Sequence, residues 1–137
     1  MKSNVIYILA LWLYCACPAW SQQSTAGKTV LHLTTDANNP RNSEGSFIGL
    51  KNGKILYVYS RFEGSSSDHA PARLMGRFSG DNGQTWTKTD KLIIDREGDM
   101  NVMSVSLLRL QNGSIALVYA RKNSIDDCIP QIRVSND

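Results

Sequence analysis

Residues 79–86 have the sequence Ser79-Gly80-Asp81-Asn82-Gly83-Gln84-Thr85-Trp86, which carries the clearest structural signal in the chain. Asp81 and Asn82 can turn their side chains back onto nearby backbone N–H groups, and Gly83 supplies the positive φ that a tight turn needs. The Thr and Trp that follow favour a strand, and the indole ring favours burial beside the turn. The stretch therefore predicts a β-hairpin turn, with a second strand that begins near residue 85.

Two other stretches, 60 residues apart, are similar to each other in sequence. Residues 46–61 are SFIGLKNGKILYVYSR, and residues 106–121 are SLLRLQNGSIALVYAR. Each holds an Asn-Gly pair between two apolar runs, which is the strongest short-range signal for a hairpin. The repeat continues at an offset of 56, where GRFSGD at 76–81 parallels IRVSND at 132–137. A repeat of this size is typical of the blades of a β-propeller.

Seven strands are expected in these two repeats. The first repeat predicts strands near 45–50, 54–61, 72–79 and 85–94, and the second predicts strands near 102–110, 114–121 and 130–135, without a fourth. A leading strand is expected at 29–34. The second strand of each repeat is almost continuously apolar, which is typical of a strand covered on both faces. The expected fold class is all-β, a β-propeller of which about two blades are present.

The pattern Ser-x-Asp-x-Gly-x-Thr-Trp at 79–86 resembles the Asp-box, or BNR repeat, of sialidases (neuraminidases) and other propeller proteins. All five defining positions match, and residues 135–137 repeat the beginning of the motif. The resemblance implies a six-bladed propeller, with blade 1 at 44–101 and an incomplete blade 2 at 102–137. Because two blades cannot close a ring, we expect this chain to be the N-terminal fragment of a longer propeller protein.

The first residues have the three parts of a secretory signal peptide. Lys2 is positive, residues 5–16 form an apolar run too short to span a bilayer, and small residues occupy positions 19 and 21. We predict a signal peptide at 1–21, followed by a leader at 22–43 that holds the leading strand. The protein would then be exported, to the periplasm or outside the cell.

The cysteines offer an alternative interpretation of the first residues and bear on whether disulfides are expected. A lipoprotein anchor on Cys15 or Cys17 is the alternative to a cleaved signal peptide. If residues 1–21 are removed, Cys128 is the only cysteine left, so no disulfide framework is expected. We expect Cys128 to be a small buried apolar residue.

The charge distribution narrows the class of partner. The net charge is +3, and the basic residues are scattered rather than clustered. This pattern argues against a nucleic-acid-binding surface and a polybasic membrane patch, and no integral membrane span is expected. No cofactor or metal is expected either, because the acidic and amide groups at 81–83 are too few for a calcium loop.

Strand direction separates two ends of each repeat. Because successive strands alternate in direction, the Asn-Gly turns and the Asp-box turn lie together at one end. The loop at 63–71 and the link at 95–101 lie at the other end. The loop at 63–71 is rich in Gly and Ser, so it can approach a ligand closely, and it carries Asp68 and His69. We therefore expect the Asp-box turn to be structural and the charged loops to be the reactive end.

The sialidase resemblance assigns roles at this reactive end. Bacterial sialidases have an acid/base aspartate in the equivalent loop, and here Asp68 lies eleven residues before the Asp-box serine. The resemblance implies that Asp68 is the catalytic acid and base, and that Arg61 contacts substrate, with Arg41 and His69 as further substrate-binding candidates. The nucleophilic tyrosine of the family has no counterpart here.

The residues alone leave other roles open. Asp68 could cap a turn before Pro71, and His69 could be a solvated loop residue. Arg61 recurs as Arg121 at the same repeat position, so it could instead form a structural salt link.

One departure from the family concerns the sugar. Sialidases open the first blade with Arg-Ile-Pro, whose arginine holds the carboxylate of sialic acid, whereas this chain has Ser43-Glu44-Gly45 there. The expected function is a secreted sialidase-like glycoside hydrolase that cleaves a terminal sugar from a carbohydrate partner. The alternatives are a non-catalytic Asp-box propeller that binds a glycan or protein, and an inactive gene fragment.

Overall fold

The chain folds into two antiparallel β-sheets, which confirms the all-β prediction. The computed structural model describes residues 27–136, so the predicted signal peptide and the candidate lipid-anchor cysteines lie outside the described residues. Among the described residues, no helix has the length and apolar character needed to cross a bilayer.

The strands follow one another along the chain and across each sheet. The first sheet consists, in order, of β1 (Arg41–Gly49), β2 (Ile55–Phe62), β3 (Ala72–Ser79) and β4 (Lys91–Ile94). The second sheet consists, in order, of β5 (Asn101–Arg109), β6 (Ile115–Lys122) and β7 (Cys128–Ser135). Every neighbouring pair is antiparallel, so each sheet is a simple meander.

The sequence repeat is also a structural repeat. Both Asn-Gly hairpins close in the same way, with Leu50 N–H donating to Lys54 O at 2.7 Å and Leu110 N–H donating to Ser114 O at 2.8 Å. The glycines of the two turns have φ values of 81° and 84°, which an L side chain rarely adopts. The Asn-Gly signal therefore identified both turns correctly.

A second shared feature is a β-bulge near the start of the first strand of each sheet, β1 and β5. The register of β1 against β2 shifts at Glu44, and that of β5 against β6 shifts at Ser104, 60 residues later. These two residues have positive φ values of 34° and 57°. Left-handed backbone at a non-glycine residue is uncommon and costs free energy, so the repetition of the bulge marks a designed feature of the fold.

Packing between the two sheets forms the main core. Val58 and Leu74 of the first sheet pack against Val102, Val105 and Tyr119 of the second. Burial of each such side chain contributes about 1.5–3 kcal/mol relative to exposure. Polar contacts join the same surfaces, because Ser104 N–H donates to the buried Ser60 Oγ at 3.2 Å.

The Asp-box turn is held by a dense set of hydrogen bonds. Ser79 is buried, and its Oγ accepts from Gly83 N–H at 2.8 Å. The carboxylate of Asp81 accepts from Thr85 N–H at 2.8 Å and from Thr85 Oγ1 at 2.5 Å. Trp86 Nε1 donates to Gly83 O at 3.1 Å, so the indole folds back over the turn. Each of these groups has an intramolecular partner, as expected for a structural turn.

The fourth strand begins later than the sequence predicted. We expected a strand near 85–94, but β4 begins at Lys91. Residues 85–90 belong to the turn, because Thr85 is bound to Asp81, Trp86 is bound to Gly83, and Thr87 N–H donates to Phe78 O at 2.8 Å. The β-propensity of Thr and Trp was outweighed by these local contacts.

Two further predictions were wrong. No strand forms at 29–34, because this segment runs beside the first sheet without pairing into a ladder. It lies instead along a cavity of about 490 Å³ lined by the side chains of Phe47, Tyr57 and Trp86, among others. Cys128, expected to be buried, is exposed at the first residue of β7, a strand that no second layer covers among the described residues.

Removing the charge of Asp81 tests this account of the turn. Its hydrogen bonds with Thr85, the side-chain one first, lower the pKa of Asp81 from 3.8 to about 2. A carboxyl with a lowered folded pKa stabilises the fold above its unfolded pKa, and this contribution is lost as the pH falls from about 4 to about 2. Asp81→Asn should therefore be less stable than wild type at neutral pH, and the difference should shrink towards pH 2.

Urea unfolding at about pH 7 and about pH 2.5 measures this difference. Asp99→Asn, at an exposed position in the link between the sheets, is the control and should show little difference at either pH. An Asp81→Asn deficit of equal size at both pH values would contradict the role assigned to the charge.

Candidate functional site

The loop at 63–71 lies at the end of the first sheet opposite the two hairpin turns, as strand direction predicted. Glu63 N–H donates to Pro71 O at 2.8 Å and closes the base of the loop, and Ala70 N–H donates to Ser67 O at 3.0 Å. Gly64 has a φ of 69° and its N–H donates to Asn38 O at 3.0 Å. A loop rich in Gly and Ser is therefore held in one conformation by its own backbone and by the leader.

Asp68 and Arg41 form an ion pair at this end of the sheet. Arg41 Nη1 donates to Asp68 Oδ1 at 2.5 Å and to Ser66 O at 3.0 Å, and Arg41 Nη2 lies 3.2 Å from Glu44 Oε1. The guanidinium carbon lies 4.3 Å from the ring centroid of the buried Phe62. The Asp68 side chain is nevertheless 60% exposed, so a ligand in solvent can reach its carboxylate.

The electrostatics of the pair keep Asp68 ionised. The hydrogen bond from Arg41, followed by the charge of Arg41, lowers the pKa of Asp68 below its usual value. The charges of Lys122 and His69 act in the same direction. An ionised carboxylate can accept a proton or stabilise a developing positive charge. To donate a proton, Asp68 must first take one up, and the contact with Arg41 disfavours this.

Arg61 does not join this pair. In the register of β2, Arg61 lies opposite Asn42 and Arg73, whereas its neighbour Phe62 lies opposite Arg41. Because successive side chains of a strand point to opposite faces, Arg61 and Arg41 lie on different faces of the first sheet. Arg61 borders a cavity of about 520 Å³ that neither Arg41 nor Asp68 lines.

The recurrence of Arg61 as Arg121 has a structural counterpart. The Nε atoms of both arginines are buried and have no hydrogen-bond partner among residues 27–136. Neither arginine makes a salt bridge within this part of the chain, so the salt link considered from the sequence is not seen.

His69 lies beside Asp68 at the tip of the loop. It is exposed, and its backbone N–H donates to Ser67 Oγ at 3.2 Å. Of the four predicted site residues, the structure therefore brings together Asp68, Arg41 and His69, and it places Arg61 elsewhere.

Asn101 was not predicted from the sequence as a site residue. This residue is the first of β5 and is fully buried, and its Nδ2 donates to Asp68 O at 3.0 Å and to Ala70 O at 2.8 Å. A signal for it was present, because Asn101 occupies the same repeat position as Arg41, at the offset of 60. Its neighbour across the ladder, Lys122, is also buried and contributes charge near Asp68.

An ionic cluster ties the loop to the link between the sheets. Glu63 forms ion pairs with both Arg73 and Arg96, and Arg73 Nε also donates to Asp95 Oδ1 at 2.7 Å. Exposed ion pairs contribute little each, but the shared partners make this cluster a network that fixes the rim of the site. Within residues 27–136, no group of His, Cys, Asp and Glu side chains is arranged to hold a metal ion.

Comparison with solved structures shows a likeness of fold. No family model matches the chain, and no curated protein matches it. A crystal structure of a protein of unknown function from Dyadobacter fermentans is similar, with a TM-score of 0.55 and 24% sequence identity. The match covers 64% of this chain and 25% of that one, so this chain corresponds to about a quarter of that protein's length. The likeness concerns the fold alone.

Replacing Arg41 tests the electrostatics of the pair. Arg41→Gln removes the charge and the main hydrogen bond that stabilise ionised Asp68, so the pKa of Asp68 should rise towards 3.8. Titration of the side-chain carboxyl followed by NMR measures it. Arg61→Gln is a matched control, because it removes the same charge from the other face of the sheet. A rise of equal size in both variants, or in neither, would contradict the assignment.

Proposed function

We propose that the two sheets are consecutive blades of a β-propeller that belongs to a longer protein. The support comes from an exposed apolar face on the second sheet, formed by Leu108, Val118, Ile132 and Val134. The equivalent face of the first sheet is covered by the second sheet, and Val58, 60 residues before Val118, is fully buried there. A third sheet of the same kind would bury the exposed face in the same way.

Two isoleucines of equal exposure test this arrangement. Ile132 on the apolar face is 65% exposed, and Ile125 in the loop after β6 is 66% exposed. If a third sheet covers Ile132 in the full-length protein, Ile132→Asp should destabilise that protein by about 3 kcal/mol, because it buries a charge. Ile125→Asp should cost less than about 0.5 kcal/mol. Equal, small effects in urea unfolding would contradict the propeller.

We propose further that the longer protein is an exported glycoside hydrolase in which Asp68 serves as acid and base. The observation that carries this proposal is a solvent-accessible carboxylate, ion-paired to Arg41, on a loop with a fixed backbone at the charged end of the sheet. A carboxyl in such a place can protonate a leaving sugar oxygen and then activate water. The partner is a carbohydrate with a terminal sugar.

The described residues supply one part of the catalytic set. Sialidases use a tyrosine nucleophile, and a nucleophilic tyrosine needs a lowered pKa or a nearby base. Residues 27–136 contain three tyrosines, and burial raises the pKa of each of them: Tyr57, Tyr59 and Tyr119. Tyr59 donates to Asp90 and Tyr119 donates to Glu97, so each has a carboxylate nearby, but both residues are only 2% exposed and a substrate in solvent cannot reach them. The nucleophile of the proposed enzyme therefore lies outside this part of the chain.

Replacing Asp68 tests the catalytic proposal. In the full-length protein, Asp68→Asn should lower kcat on fluorogenic glycosides by about 100-fold or more, because the amide can neither donate nor accept the proton. The control is Asp126→Asn in the corresponding loop of the second repeat, which should retain activity. Circular dichroism should show an unchanged fold in both variants. Full activity of Asp68→Asn would rule out the assignment.

One observation favours a second candidate function, a propeller that binds a glycan or a protein without cleaving it. The pKa of Asp68 is lowered, whereas a general acid needs a raised one. Wild-type protein that binds a glycan in a glycan array but hydrolyses none of its glycosidic bonds would support this candidate over the hydrolase.

A further inference from the structure

Two residues at the same repeat position hold the loop at 63–71 from different sheets. Arg41 is the first residue of β1, and Asn101 is the first residue of β5. Arg41 binds the side chain of Asp68 and the carbonyl of Ser66. Asn101 binds the main chain, through two bonds from Nδ2 to the carbonyls of Asp68 and Ala70. The side chain and the backbone of Asp68 are thus fixed by consecutive sheets.

Asn101 is a costly residue to bury, and its two hydrogen bonds to the loop are what an apolar residue could not make. The residue is fully buried, and its Oδ1 has no hydrogen-bond partner among residues 27–136. An unpaired buried acceptor costs free energy, and an apolar side chain of similar size would avoid that cost. What an apolar residue cannot provide is the pair of donors that reach the loop.

Apolar packing alone does not position Asp68. Ala70 is buried with Phe62 and Ala72, against Met103 of the second sheet, so the end of the loop is packed. The preceding residues Gly64 to Ser67 are small and exposed, and Asp68 lies between them and the packed end. The bond from Asn101 to Asp68 O therefore joins the exposed part of the loop to the core of the second sheet.

We propose that Asn101 is a positioning residue that sets the place of the Asp68 carboxyl, an inference that rests on the proposed hydrolase. The next sheet in the chain thus binds the backbone of Asp68, whereas the sheet that carries the loop binds its carboxylate. Displacement of a catalytic group by about 1 Å can cost about 100-fold in rate, so loss of the two bonds acts on kcat more than on substrate binding.

Two substitutions of similar size separate positioning from packing. Asn101→Leu removes donors and acceptor but fills the space, and Asn101→Asp keeps the shape but turns oxygen atoms towards the two carbonyls. In the full-length protein, both should lower kcat by about 10-fold to 100-fold, with KM changing less than about 3-fold. Val105→Ala is the control, because it weakens the core between the sheets without touching the loop.

A second measurement does not depend on activity. Hydrogen exchange of the Ala70 and Glu63 amides, which bond within the loop, should become about 10-fold faster in both Asn101 variants and stay unchanged in Val105→Ala. The proposal would be overturned if these amides exchanged in the Asn101 variants at the same rate as in the wild type. It would also be overturned if Val105→Ala lowered kcat as much as the Asn101 variants do. If the wild-type protein cleaves no glycoside, the proposed hydrolase function is contradicted. The exchange rates would still decide whether Asn101 holds the loop.

Discussion

The face-to-face contact between the two sheets is the constraint on which the other features depend. Val58 and Leu74 are buried only because Val102 and Tyr119 of the second sheet cover them. A lone four-stranded meander would leave this apolar face in water, where it would favour aggregation. The same contact brings the start of β5 to the loop at 63–71. Core packing and the geometry of the candidate site therefore arise from one interface, and a change in the angle between the sheets would alter both.

The sequence predicted the features that depend on local backbone chemistry. The Asn-Gly pairs and Gly83 required positive φ, and the turns formed where these residues occur. The apolar runs in β2 and β6 predicted strands correctly, because a short apolar run bounded by turn residues is typical of a strand covered on both faces. The sequence placed the start of β4 too early because Thr85 and Trp86, which favour strands, formed hydrogen bonds within the turn instead. Propensity is a weak guide where a side chain has a specific local partner.

The features that the sequence did not predict depend on contacts between distant residues. The role of Asn101 requires knowledge that β5 passes beside a loop more than 30 residues earlier in the chain. The separation of Arg61 from Arg41 follows from a one-residue difference in register, which decides the face of the sheet. The resemblance to sialidases gave roles to Asp68 and Arg61 together, but the two side chains do not meet. Site residues inferred one by one from a motif need the register before they can be treated as one site.

The paired bulges at Glu44 and Ser104 have a consequence for how such a fold can diversify. A bulge interrupts the alternation by which successive side chains point to opposite faces of the sheet. The residues before the bulge therefore do not follow the alternation of the residues after it. The first strand of each sheet thus begins with a short segment whose facing is set separately from that of the residues after the bulge. In this protein, that segment starts with an arginine in one repeat and an asparagine in the next. Duplicated units of this kind can keep a common core while each acquires its own chemistry at the rim.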